Sequence, residues 1–174
     1  ETLLDVEQDI RLIVIGKRGE HANFARGHLG SNLERVVRAV KRPVLVAARE
    51  FRPIQRFLVA FDGSATGRTS IEMICASPLL RDLECHVLMV GEDSASHRDA
   101  LAWAQARLAA AGFAPTIHLL QGSADATIAN QVEALQADLL VMGAYGHSRI
   151  RTMILGSTTT QLLRTCQAPV LLLR

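Results

Sequence analysis

Residues 141–158 read VMGAYGHSRIRTMILGST. Gly143 and Gly146 follow an apolar run, nine residues intervene, and Gly156 and Ser157 then open a stretch of helical composition. Glycines at a strand end leave room for a ligand against the backbone and permit positive φ in the turn. A helix beginning Gly-Ser-Thr presents free amide N–H groups, and with its dipole they form an anion site. The hydroxyls of Ser157 and Thr158 add donors for phosphate oxygens. Arg149, with Arg151 and His147, lies in the intervening loop and screens further negative charge. The chemistry of this stretch is that of a phosphate cradle. One such match is as readily a turn and a helix cap. Here the pattern occurs twice, because Gly16, Gly19, Gly30 and Ser31, followed by Asn32, repeat it nearer the start.

FDGS at 61–64 supplies a second element, Asp62, Gly63 and Ser64. A carboxylate at the end of a strand accepts hydrogen bonds from ribose hydroxyls or an adenine amino group. The competing reading is a turn or N-cap aspartate ahead of Gly63. Other phosphate motifs are excluded by inspection: there is no G-x-x-x-x-G-K-[ST] and no G-x-G-x-x-G after the first strand. No Ser/His/Asp set and no carboxylate pair can be argued from spacing, so no catalytic residue is assigned. His86 and His118 fall in strand-like runs and read as core or interface residues, while His21, His28 and His97 read as solvent-facing.

Elements to position these groups are plain. Strand-like runs occupy 11–15, 43–47, 56–61, 85–90, 116–120, 138–142 and 169–173. Each is short, rich in Val, Ile and Leu, and continuously apolar, as for strands covered on both faces of a parallel sheet. Helical spacing appears at 98–111, closed by Gly112, at 124–137, at 157–166 and, less regularly, at 66–80. From residue 56 the order is βαβαβαβαβ, which predicts a doubly wound α/β domain with a five-stranded parallel sheet. The chain also repeats itself. RLIVIGKRG at 11–19 resembles DLLVMGAYG at 138–146, and GSNLERVVRAVKRPVLVA at 30–47 resembles GSTTTQLLRTCQAPVLLL at 156–173. The offset is about 126 residues, which projects the opening strand of the first copy to roughly 65 to 75 residues before Glu1. The expected organisation is therefore residues 1–49 as the βαβ tail of one domain, 50–55 as a linker, and 56–174 as a second, similar domain that is complete. Residues 1–9 read as the end of a helix.

Composition narrows the partners. Lys and Arg number 19 against 17 Asp and Glu, a near balance that argues against a nucleic-acid surface. No apolar run approaches the ~18 residues of a membrane span. Three cysteines, Cys75, Cys85 and Cys166, have no metal spacing and read as buried thiols of a reducing, cytoplasmic setting.

At this point the residues resemble the universal stress protein family, and more narrowly a tandem, two-domain member of its nucleotide-binding branch. Gly143, Gly146, Gly156 and Ser157 match the family's G-x2-G-x9-G-[ST] signature, and Asp62 matches its strand-end aspartate. The resemblance implies an adenine nucleotide α-hydrolase-like sheet of strand order 3-2-1-4-5. It implies backbone contact to adenine or ribose at Val90, and a site that includes Met142. The implied ligand is ATP, with ADP or AMP as alternatives and Mg²⁺ accompanying the phosphates. The first copy departs from the signature by one residue between Gly19 and Gly30, which puts a second nucleotide site there in question. The final strands, 43–48 and 169–173, are expected to pair edge to edge in a homodimer or an intramolecular pseudo-dimer. The implied role is regulatory, with nucleotide shifting conformation or assembly. The alternatives are a slow ATPase or an enzyme autophosphorylating at Ser157 or a nearby Thr, and a dimerisation module that binds no nucleotide.

Overall fold

The apolar runs become seven strands in the computed structural model, which describes residues 7–17, 31–143 and 156–174, the side chains of Glu7, Ser31 and Asn32 excepted. They are β1 (Ile13–Gly16), β2 (Val44–Ala47), β3 (Arg56–Ala60), β4 (Glu84–Val90), β5 (Thr116–Leu120), β6 (Leu139–Gly143) and β7 (Val170–Leu173). One continuous sheet holds them in the order β1-β2-β7-β6-β3-β4-β5. Every pair is parallel except β2 with β7, where Val44 faces Leu172 and Val46 faces Val170 in an antiparallel ladder. The described parts of the first 50 residues are therefore not a separate layer. Their two strands extend the same sheet.

Among the described residues five helices cover it: α1 (Ser31–Ala39), α2 (Ala65–Ala76), α3 (Ala95–Ala110), α4 (Ala124–Ala134) and α5 (Ser157–Thr165). Side chains alternate across the pleat. Leu58, Leu88, Leu140 and Leu172 point to one face, where they pack with Val37 of α1, Ile128 and Val132 of α4, and Leu162 of α5. Phe57, Val59, Val87 and Val141 point to the other, against Ile71 and Ile74 of α2 and Leu101 and Leu108 of α3. The central strands are thus buried on both sides, and each fully buried Leu or Phe contributes about 1.5–3 kcal/mol relative to exposure. Far from the centre, Val14 on edge strand β1 is 62% exposed.

The helix limits differ from the apolar spacing where a local backbone rule intervenes. α2 stops at Ala76 rather than 80, because Ser77 is extended ahead of Pro78 and residues 78–80 make a 3-10 turn. α3 starts at Ala95, three residues early, because Ser94 caps it by accepting from the His97 N–H. Its end is closed by Gly112 at φ +91, with Phe113 N–H donating to Leu108 O. α4 stops at Ala134, and Gln136 beyond it sits at φ +51. Of the helix expected over 1–9, residues 7–9 form a 3-10 turn and the rest lie outside the described residues.

Cations fasten the junction between β2 and β7. The Lys17 ammonium donates to the carbonyls of Cys166 and Ala168, just past α5. Arg174 donates to the carbonyls of Val40 and Arg38 at the end of α1. Each meets the negative end of a helix across the junction. Burial holds Lys17 below its ordinary range. Cys85 and Cys166 are buried and Cys75 is half-buried, all as free thiols, and burial pushes Cys85 up to about 12. A thiol held protonated in this way is inert. Among the described residues no helix is long and apolar enough to cross a membrane.

A polar cluster closes the amino ends of the strands. The Arg56 guanidinium meets Glu84 at 2.6 Å and donates to Leu135 O, while Asp138 accepts from the amides of Gln55 and Arg56. Glu84 also contacts buried His86 at 2.9 Å, and the other ring nitrogen of His86 lies 3.0 Å from His118 Nε2. His86 is buried and His118, on edge strand β5, is half-buried, and the two are linked across the β4–β5 pair. Burial first, then His86, lowers His118 below 6.5, and the Arg56 bond lowers Glu84. Both shifts mean that the unfolded chain binds protons more readily. Stability is expected to be full above pH 6.5, to fall as pH drops through that value, and to fall again below the ordinary Glu range. Urea titrations between pH 8 and 2.5 check this, and His118→Gln should remove the upper step alone. Leu140→Ala, at a fully buried position of β6, should cost about 2–5 kcal/mol in the same assay.

Candidate functional site

β3 and β6 lie side by side, Ala60 opposite Met142, yet the helices that follow them leave toward opposite faces. Right-handed crossovers require this wherever strand order reverses direction. α2 and α5 flank a crevice beyond the carboxyl ends of the strands, the usual ligand position in such sheets. Here it is a cavity of about 400 Å³. That size suits a small organic ligand.

The motif residues converge on it from elements far apart in the chain. Asp62 and Ser64 come from the turn after β3, Val90 from the end of β4, Met142 and Gly143 from the end of β6, and Gly156, Ser157 and Thr158 from the start of α5. Gly63 lies between two lining residues and takes φ +74, so the turn itself requires it. Gly146 and Arg149 lie outside the described residues. So do Gly19 and Gly30 of the first copy. Gly16 ends β1, and Ser31 and Asn32 open α1.

The start of α5 is built differently from those of α2 and α3. Ser64 and Ser94 each turn a hydroxyl back onto an amide of their helix, Gly67 N and His97 N. Gly156 has no side chain to do so, and its carbonyl takes the Thr160 N–H. Gly156 thus leaves the first turn of α5, at the cavity wall, without a side-chain N-cap. Space is also reserved there. A Cβ added at Gly156 would meet, among the described residues, nothing nearer than Thr159 Oγ1 at 3.8 Å. Gly143 is different. Its φ is not positive, and an added Cβ would come within 3.2 Å of the Thr66 methyl. The packing of α2 against β6 is thus a reason for glycine at 143, beside any need of a ligand. The turn conformation expected there occurs at Gly63 instead.

Asp62 serves the turn. Its Oδ1 accepts from the Ser64 amide at 3.0 Å and the Ser64 hydroxyl at 2.6 Å, and Ser64 in turn caps α2. These bonds are those of the turn aspartate that the sequence offered as the competing reading. Asp62 is also among the residues that line the cavity.

Other lining residues carry no motif. Ala124 and Ile128 of α4 and Leu88 of β4 give an apolar wall, and Thr66 and Gly67 of α2 close another side. His97 is the one that residue type and spacing misplace. Read as solvent-facing, it lines the cavity, with its ring held by a 2.7 Å bond from Nδ1 to Glu92 O. The capping serine three residues ahead is the signal that would have put it on the first turn of a helix leaving β4. Among the described residues no group of three or more His, Cys, Asp or Glu can hold a metal.

Comparison with known proteins gives this geometry its relatives. The model of the universal stress protein family matches residues 2–48 and 90–174. Universal stress protein Slr1230 of Synechocystis sp. is 42% identical over the whole of this chain, which spans 61% of its length. The crystal structure of a universal stress protein from Archaeoglobus fulgidus superposes with a TM-score of 0.78 at 27% identity, covering 98% of this chain and 65% of that one. Two more distant structures share the fold. One is a universal stress protein in complex with cAMP, with TM-score 0.60 and 22% identity over 71% of this chain and 98% of that one. The other is a family protein from Arabidopsis thaliana with AMP bound, with TM-score 0.53 and 17% identity over 68% and 90%.

The Asp62–Ser64–Gly67 chain predicts a local cost when it is cut. Ser64→Ala should destabilise the protein by about 0.5–2 kcal/mol through loss of the α2 cap, read as a lowered denaturation midpoint.

Proposed function

The chain belongs to the universal stress protein family, and from that premise we propose that its cavity binds ATP and that occupancy regulates its conformation or assembly. The observation that carries the reading is the uncapped first turn of α5, set against space kept open by Gly156. Phosphates would accept from the amides and hydroxyls of Ser157 and Thr158, with Gly143 and Gly146 beside them and Arg149 adding charge. The nucleoside would lie toward Asp62 and Val90, against the apolar wall of Ile128 and Ala124. The cAMP and AMP bound by two structural neighbours favour an adenine nucleotide. Mg²⁺ would enter as the counterion of the phosphates, with Asp62 the cavity carboxylate nearest in sequence to hand.

In this reading residues 56–174 are a complete domain of strand order 3-2-1-4-5, residues 50–55 a linker, and residues 1–49 the tail of a second domain joined to it through β2 and β7. Gly16, Gly19, Gly30, Ser31 and Asn32 would serve a second site in that domain. A nucleotide bridging β3, β6 and α5 would stiffen one half of the sheet. The β2–β7 junction, next to β6, is the route by which the other half would sense it. Partners are then the nucleotide and a like domain, in a cytoplasmic setting, with no assignment to nucleic acid or membrane.

ATP at about 100 times its Kd should stabilise the protein by about 2.7 kcal/mol, a rise in Tm of about 5–10 °C for a chain of this size. Gly156→Val should fold with a near-native Tm, since the site has room, and lose the rise. Absence of any ATP-dependent shift in the parent protein would sink the reading.

A further inference from the structure

We propose that His86 and His118 form a proton-counting latch between β4 and the edge strand β5. It stays shut while the pair carries no added proton or one, and opens when the pair takes up a second. Register brings the rings together. Leu88 stands opposite His118 and His86 opposite Thr116, so both histidines lie on the face that α4 covers. In the described sheet β5 has β4 as its one neighbour. The ring contact is thus a side-chain tie on a strand supported from one side only.

The hydrogen bonds fix where each hydrogen sits. The Glu84 carboxylate only accepts, so His86 carries its hydrogen on Nε2 and donates it at 2.9 Å. In the neutral ring Nδ1 is then bare. It accepts at 3.0 Å from His118 Nε2, which holds the hydrogen of that ring. His118 Nδ1 is the open lone pair. It has no hydrogen-bond partner among the described residues and is not among their buried unpaired atoms.

Proton uptake then has an order. The first proton enters at His118 Nδ1. The Nε2 hydrogen stays where it is, or passes to His86 Nδ1 and leaves the charge beside Glu84. Either way one hydrogen fills the gap and the tie is kept. A second proton has no open nitrogen and must enter the gap itself. Two N–H groups would then face each other at 3.0 Å, on cations whose centroids lie 5.3 Å apart. His86 is buried and held by Glu84, whereas His118 is half-buried on an edge, so His118 is the ring that leaves. Other charges lie on three elements. Arg56 of β3 engages Glu84 from its other side, and Asp138 before β6 accepts from the Gln55 and Arg56 amides. α4, packed on this face through Ile128 and Val132, carries Asp125 and an exposed Glu133. Burial and then the charge on His86 lower His118, in keeping with one hydrogen per gap.

Long-range ¹H–¹⁵N spectra of the histidine rings, recorded on this chain from pH 8 to 3, test the latch. At pH 8 both rings should be Nε2–H tautomers. On acidification their signals should move together in two steps about two pH units apart, as for charges 5.3 Å apart at an effective dielectric of about 20. Amide exchange over Thr116–Leu120, corrected for the intrinsic effect of pH, should rise about tenfold at the second step while that of β6 stays level. His118→Gln should leave one step and no rise confined to β5, and the parent spectra decide the matter if that variant does not fold. A single common step, an Nδ1–H tautomer on His86 at pH 8, a β5 rise at the first step, an equal rise in β6, or a β5 rise that survives in His118→Gln would overturn the proposal.

Discussion

Right-handed crossover connections impose one consequence on this molecule from which the rest follows. β3 and β6 are adjacent and parallel, and the chain must leave them in opposite directions, α2 to one face and α5 to the other. No helix can then sit above the seam. The seam is left as a crevice, and whatever residues end β3, β4 and β6 become its walls. Asp62, Val90 and Met142 share a site for that reason, although 80 residues of chain separate the first from the last.

The crevice shows how few of its lining residues serve the cavity alone. Asp62 closes a turn and lines the cavity. Ser64 donates its hydroxyl to Asp62 and, by accepting from the Gly67 amide, caps α2. Gly143 gives way to Thr66 of the same helix. Structure and chemistry draw on the same few atoms, so a substitution in this corner perturbs both. Gly156 is the exception. Among the described residues nothing lies nearer than 3.8 Å to a side chain added there, and the first turn of α5 has no side-chain cap.

The antiparallel β2–β7 ladder gives the sheet its second property. It joins two βαβ stretches of similar sequence across an approximate two-fold relation. Lys17 and Arg174 reinforce the junction by each reaching a helix carboxyl end on the far side. Without the ladder β7 and β2 would each be an open, apolar edge, a form that proteins generally cover. β1 remains an edge in this chain, with Val14 turned outward.

The sequence alone was sufficient for the strands, because buried parallel strands must be apolar on both faces and a run such as LLVM has few other uses. It also carried the glycine spacing, the repeat, the family likeness and the serine chemistry at the start of α5. Helix limits escaped it where single residues outrank periodicity: Pro78 halting α2, Ser94 starting α3 early, and Gln136 turning the chain after α4. The polar cluster of Arg56, Glu84, His86 and His118 was not legible, since no spacing links residues on neighbouring strands until register pairs them. Nor was the place of His97, whose type suits a solvent-facing helix as well as a cavity wall. Periodicity states which face of an element is apolar, while only the packing of one element on another decides which polar side chain faces a void. That second decision rests on contacts between distant parts of the chain, and a one-dimensional pattern does not contain them.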